Sequence, residues 1–276
     1  MINNNMKNRN PFYALIIISL IASSCSKDNP TPAGTGTLTL HFDNVVGSSD
    51  LTLNSGSYAN STGETFNVTT LRYFISNIEI KTTDGKKYSV PQDSSYFLVD
   101  ESIEASQDIF LKNIPAADYN EVTFTIGVDS LKSVADISKR KGVLDPTASD
   151  MYWAWNPGYI FFKLEGESSA VPSMGGMGMG SMFYYHIGGY GGFDASSKTF
   201  NNIKKVTLSL GTDKAQVRSN IAPEVHIYVD VLKVFNGSPA LSIAAHPMVM
   251  FNDYSTTIAT NYTKGFEYGH VHNDPK

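Results

Sequence analysis

The chain has 276 residues, one cysteine, and a net charge of −5 from 21 Lys and Arg against 26 Asp and Glu. Hydrophobic residues make up 41% and charged residues 17%, a globular balance at a length that suits one large β domain or two small ones. There is no basic cluster of the kind nucleic acid requires, and one cysteine rules out a disulfide framework.

The first segment reads as an export signal. Lys7 and Arg9 are the only charges among the first 25 residues, residues 14–22 are apolar apart from Ser19, and Ala22, Ser23 and Ser24 are small. The run is shorter than the roughly 20 residues of a permanent span, so residues 1–24 are expected to be removed as a signal peptide. The stretch ending at Cys25 resembles a lipobox, with Ala22 where that pattern prefers Leu. It implies acylation of Cys25 and attachment to the outer membrane, on its periplasmic or cell-surface side. Lipidation also accounts for a lone thiol in an oxidising compartment. Residues 25–36, with Pro30, Pro32, Gly34 and Gly36, read as a disordered tether.

Residues 37–276 then alternate short apolar runs with turn residues, as one domain. In residues 37–42, Leu38, Leu40 and Phe42 take one face and Thr37, Thr39 and His41 the other, the two-residue repeat of a strand. Residues 71–80 form a longer run closed by Asp84 and Gly85. Residues 96–99, 121–128, 158–165, 182–187, 205–210 and 224–231 are further strands, and residues 229–235, followed by Asn236 and Gly237, suit a short helix. This spacing predicts an all-β, antiparallel β-sandwich, Ig-like or jelly-roll-like, with long loops and few short helices.

Of the histidines His41, His186, His226, His246, His270 and His272, three fall on strands. His186 shares a face with Met182 and Tyr184, His226 with Tyr228, and His41 with threonines. A strand histidine is more often a satisfied surface or core residue than a ligand, and His270 and His272 read as a solvated tail. Residues 173–181 contain only Ser, Gly and Met, with Met174, Met177 and Met179 among them and Met182 just beyond. Thioethers favour Cu(I); the same composition equally suits a mobile loop that patches an apolar surface. No Gly-x-Ser-x-Gly elbow, phosphate-binding loop or His-Glu-x-x-His helix is present. Asp145 and Asp150 lack the spacing of an EF-hand. Enzymatic turnover is not expected.

The segment Met151-Tyr152-Trp153-Ala154-Trp155-Asn156-Pro157-Gly158-Tyr159, with Phe161-Phe162-Lys163-Leu164-Glu165-Gly166 after it, resembles the signature of the MbnP-like copper-binding family, the methanobactin-associated periplasmic type. His41-Phe42-Asp43-Asn44-Val45-Val46-Gly47, Leu71-Arg72-Tyr73-Phe74-Ile75-Ser76-Asn77-Ile78, Phe124-Thr125-Ile126-Gly127-Val128-Asp129 and His186-Ile187-Gly188 fit the same family. The resemblance implies a periplasmic or surface β-sandwich that binds Cu(I) or Cu(II) for acquisition, storage or delivery. It also implies a dihaem cytochrome c peroxidase-like partner that oxidises one tryptophan to kynurenine, here Trp153 or Trp155. The kynurenine amine has a lone pair that the indole N–H lacks, and His186 would join it on the metal. Other branches carry a histidine in the strand over residues 73–77, where this chain has Ser76, so His41 or His226 would have to supply the second imidazole. The alternative is a carbohydrate- or protein-binding lipoprotein that uses Tyr152, Trp153 and Trp155 as an aromatic platform.

Overall fold

Alternation decides the architecture. The computed structural model describes Met1 and residues 33–153, 158–172, 180–192, 198 and 200–276; Cys25, Trp155, Met174, Met177 and Met179 lie outside the described residues. In chain order the main strands are β1 (Thr35–Val46), β2 (Thr70–Thr82), β3 (Tyr96–Asp100), β4 (Asp108–Pro115), β5 (Ala117–Ile126), β6 (Tyr152–Trp153), β7 (Gly158–Glu167), β8 (Met182–Gly188), β9 (Lys204–Ser209), β10 (Ile221–Asp230) and β11 (Phe266–Pro275). Three short helices join them: α1 (Ser130–Ser133), α2 (Leu232–Phe235) and α3 (Tyr254–Tyr262).

The strands form two sheets around one core. The smaller sheet runs β11–β10–β1, with β4 and a short strand at Ser49–Asp50 on the far edge of β1. The larger runs β9–β5–β2–β7–β8, with β3 added to β2 and β6 to β7. Most pairings are antiparallel, as expected. The exceptions are β1 with β10, which run parallel with His41 level with His226, and β8 with Met248–Val249. A parallel pair cannot come from a hairpin. The chain builds the small sheet from its two ends, β1 at the start and β10 and β11 at the finish.

Leu38, Leu40 and Phe42 of β1 face inward, as do Val225, Ile227 and Val229 of β10, and they meet Tyr73, Phe124, Phe162 and Tyr185 of the large sheet. Phe42 packs edge-on against Phe124 at 5.5 Å and Tyr73 at 6.2 Å. Phe162 stacks on Tyr262 of α3 at 4.6 Å. Each such ring contributes about 1.5–3 kcal/mol by leaving water. A second apolar cluster, with Phe74, Met151, Trp153, Tyr159 and Phe161, covers the other face of the large sheet. Phe74 and Phe161 alternate with Tyr73 and Phe162, so adjacent residues serve opposite faces.

Three differences from the sequence reading bear on the site. Strand β1 begins at Thr35, inside the segment read as tether. Helix α3, rich in Thr and Tyr, has weak intrinsic propensity, and the burial of Ile258, Ala259 and Tyr262 overrides it. The C-terminal residues read as a solvated tail are strand β11, hydrogen-bonded along β10.

Candidate metal centre

Side chains that do not enter the core of the small sheet stand on its outer face. On β1 these include Thr39, His41 and Asp43; on β10, Glu224, His226 and Tyr228. Because β1 and β10 are parallel and in register at His41 and His226, the two imidazoles are neighbours, with ring centroids 4.8 Å apart. On the far side of β10, Glu224 pairs with His272 and Val225 with Val271, but Ile227 pairs with Tyr268. Gly269 and His270 therefore oppose His226 together, a β-bulge that spends one extra residue and keeps His270 on the outer face beside His272. Gly269 makes this possible: a Cβ there would lie 2.8 Å from the Tyr228 ring.

The result is a four-imidazole cluster spanning three strands. His226 and His270 stack at 4.2 Å with 15° between planes, and His272 stands edge-on to both, at 5.1 Å and 4.7 Å. His270 Nε2 and His272 Nε2 are 3.0 Å apart. One ligand atom from each of His226, His270 and His272 falls within 4.8 Å of the others, the one such group of three among the described residues.

Two carboxylates prepare the cluster. Asp108 of β4, level with His41, places Oδ1 2.7 Å from His41 Nδ1. Glu224 places Oε1 2.7 Å from His226 Nε2. An ionised carboxylate only accepts, so each takes a ring N–H; in the neutral imidazole the lone pair then sits on the other nitrogen, Nε2 of His41 and Nδ1 of His226. Burial, together with the neighbouring His270 and His41, holds His226 below the ordinary imidazole pKa, against the pull of Glu224. Neutral imidazoles with oriented lone pairs are what a late transition metal binds.

The structure separates this cluster from the other expected ligand. His186 is on β8, on the outer face of the large sheet, and its Nε2 lies 2.6 Å from Glu165 Oε1. Glu165 is held below its usual pKa by that hydrogen bond, against burial and with the help of Lys163. The chain of charge continues through Lys163, Asp150 and Arg72 to Asp100. The expectation that His41 or His226 completes a site with His186 is therefore corrected: they stand on opposite outer faces, with the core between. Ser76 is fully buried and donates to the Gly127 carbonyl at 2.7 Å, so no imidazole is present at that position. Met182 is half-buried at the start of β8, and His246 stacks on Tyr254.

Trp153 is 6% exposed. Strand β6 pairs Trp153 with Gly158, which carries the indole over β8, where ring atoms lie 2.8 and 3.1 Å from the place a Gly188 Cβ would occupy. Gly188 shares its face with His186, two residues away. A buried ring offers no platform for a sugar, which corrects the alternative at Trp153.

His270 and His272 are candidate ligands that the expectation of a solvated tail passed over. The signal was there: Tyr268, His270 and His272 recur every second residue, as on one face of a strand.

The family model MbnP matches residues 35–251 of the chain. Among solved structures, MbnP from Methylosinus trichosporium is similar in fold, with a TM-score of 0.51 and 15% identity over 79% of this chain and 82% of that one. No curated protein matches by sequence.

Proposed function

The chain belongs to the MbnP family, and from that premise we propose that it is an extracytoplasmic copper-binding protein, lipid-anchored at Cys25, that acquires, stores or delivers the metal without turnover. The observation that carries this reading is the convergence of His226, His270 and His272, with His41 alongside. Imidazole nitrogen suits copper, and the carboxylates Asp108 and Glu224 each hold one of the rings by a single nitrogen, leaving the other for a metal when the ring is neutral. The residues present fit the metal.

A second reading follows the family resemblance more closely. A kynurenine formed from Trp153 or Trp155 by a dihaem partner would bind copper with His186. The seat of Trp153 against Gly188, on the face of His186, favours it. His186 Nε2, however, lies 2.6 Å from the Glu165 carboxylate.

Metal analysis of protein purified from its native membranes tests the proposal. It predicts copper bound in the wild type and lost in His226→Ala, with the fold retained; copper retained in that variant would overturn the assignment. Changing Cys25→Ser is expected to move the protein into the soluble fraction, and a variant still bound to membranes would refute the anchor.

A further inference from the structure

We infer that the four-imidazole cluster is a complete divalent-metal site as translated, loading Cu(II) with no oxidised tryptophan, and that Asp108 and Glu224 are its positioning residues. The inference rests on the copper-binding reading above and specifies how the site is made.

The donor set comes first. His41, His226, His270 and His272 supply nitrogen donors. Nitrogen donors with nearby carboxylates select borderline divalent ions, and among these the affinity order places Cu(II) above Ni(II) and Zn(II). Cu(I) prefers thioether or thiolate, which these four side chains do not offer.

Location is the second ground. Trp153 packs in the apolar cluster on the outer face of the large sheet, and the imidazoles stand on the outer face of the small one. Packed sheets are about 10 Å apart, and the core rings Phe42, Tyr73 and Phe162 fill that space. An amine formed on the Trp153 ring cannot enter the coordination sphere of His226. A site that needs a modified tryptophan must lie elsewhere, and one built from these imidazoles needs none.

Third, the cluster already has the outer partners that metal sites use to fix ring orientation. Two carboxylates each accept one imidazole N–H, from different strands, at 2.7 Å. A surface histidine without a role has no need of such fixing; two histidines held by separate carboxylates and facing two more are preorganised. Removing an outer partner of this kind costs about 10–100-fold in metal affinity.

The test uses the exported mature protein, made in a host that lacks any dihaem peroxidase, with intact mass confirming unmodified tryptophans. Cu(II), Zn(II) and Cu(I) are titrated separately, and the Cu(II) complex is examined by electron paramagnetic resonance. One Cu(II) per chain is expected, with nitrogen hyperfine structure, tighter than Zn(II), and unchanged in Trp153→Phe, Trp155→Phe and His186→Ala. His226→Ala, and independently the exposed-site variant His272→Ala, should weaken Cu(II) by more than roughly a hundredfold, beyond what loss of an outer partner costs. Glu224→Ala should weaken binding about 10–100-fold and alter the resonance spectrum, with Glu224→Gln, which keeps a carbonyl acceptor, restoring much of the loss. Should the unmodified protein bind no Cu(II) while native protein carrying the kynurenine mass does, the inference fails and the copper-binding reading stands. Should neither bind copper, both fail. Cu(II) binding that is lost in His186→Ala and kept in His226→Ala would also overturn the inference.

Discussion

His226 and His270 lie ring on ring, 4.2 Å between centroids and 15° from parallel, although they come from different strands. The stack exists because the β-bulge at Gly269 and His270 absorbs one residue opposite His226. Without it, the strand alternation would send Gly269 and His270 to different partners. The candidate metal site thus depends on one backbone irregularity.

Gly269→Val tests that dependence. The new side chain meets the Tyr228 ring 2.8 Å from its Cβ position, and the His226 carbonyl at 3.3 Å. Tyr228 is exposed and can turn aside, so the fold should survive with a loss of about 1 kcal/mol or less, whereas His270 is displaced from the stack. Copper affinity is expected to fall at least tenfold, about the least that disturbing a ligand's orientation costs, with an unchanged circular dichroism spectrum. Undiminished affinity would show that the bulge is dispensable.

Gly188→Ala addresses the opposite face. A Cβ there would stand 2.3 Å from the Tyr159 carbonyl oxygen and 2.8 Å from the Trp153 ring. Neither the β7 backbone nor a buried indole can yield cheaply, so overpacking should cost about 1–3 kcal/mol in chemical denaturation. Copper binding by the folded fraction should not change. A parallel loss of both would tie the two faces together.

Much of this was legible in the amino-acid sequence. The alternation of Leu38, Leu40 and Phe42 against His41 located β1 and its outer face, and the run over residues 158–165 located β7. The meeting of His41 with His226 was not legible, because parallel register between distant strands is set by the packing of both sheets and leaves no local mark. Strand β11 was obscured because its second half is polar and exposed, so the hydrophobic signal that marks a strand fades after Val271. Trp153 illustrates the opposite limit: its burial suits its size, but its seat on Gly188 depends on β6 pairing to β7, a two-residue contact.

Glu101 gives a pH-dependent prediction outside the candidate metal site. Burial pushes its carboxyl up to about 7, against a hydrogen bond from Asn44, and Asp50, Asp43 and Asp100 add repulsion. The folded value exceeds the ordinary 4.5, so the folded state holds the proton longer than the unfolded chain. This contribution to stability is fully present below pH 4.5 and is lost as pH rises through about 7. Glu101→Gln mimics the protonated acid. Its melting temperature should match wild type at pH 4 and exceed it at pH 8, by about 2–4 °C for each kcal/mol recovered. Equal melting temperatures at both pH values would contradict the assignment.

The most direct measurement of the central claim is anomalous diffraction at the copper edge from crystals of the copper-loaded protein. The account predicts one strong peak on the outer face of the small sheet, about 2 Å from imidazole nitrogens of His226, His270 and His272. A peak beside His186 and Trp153, with nothing between those three imidazoles, would contradict it.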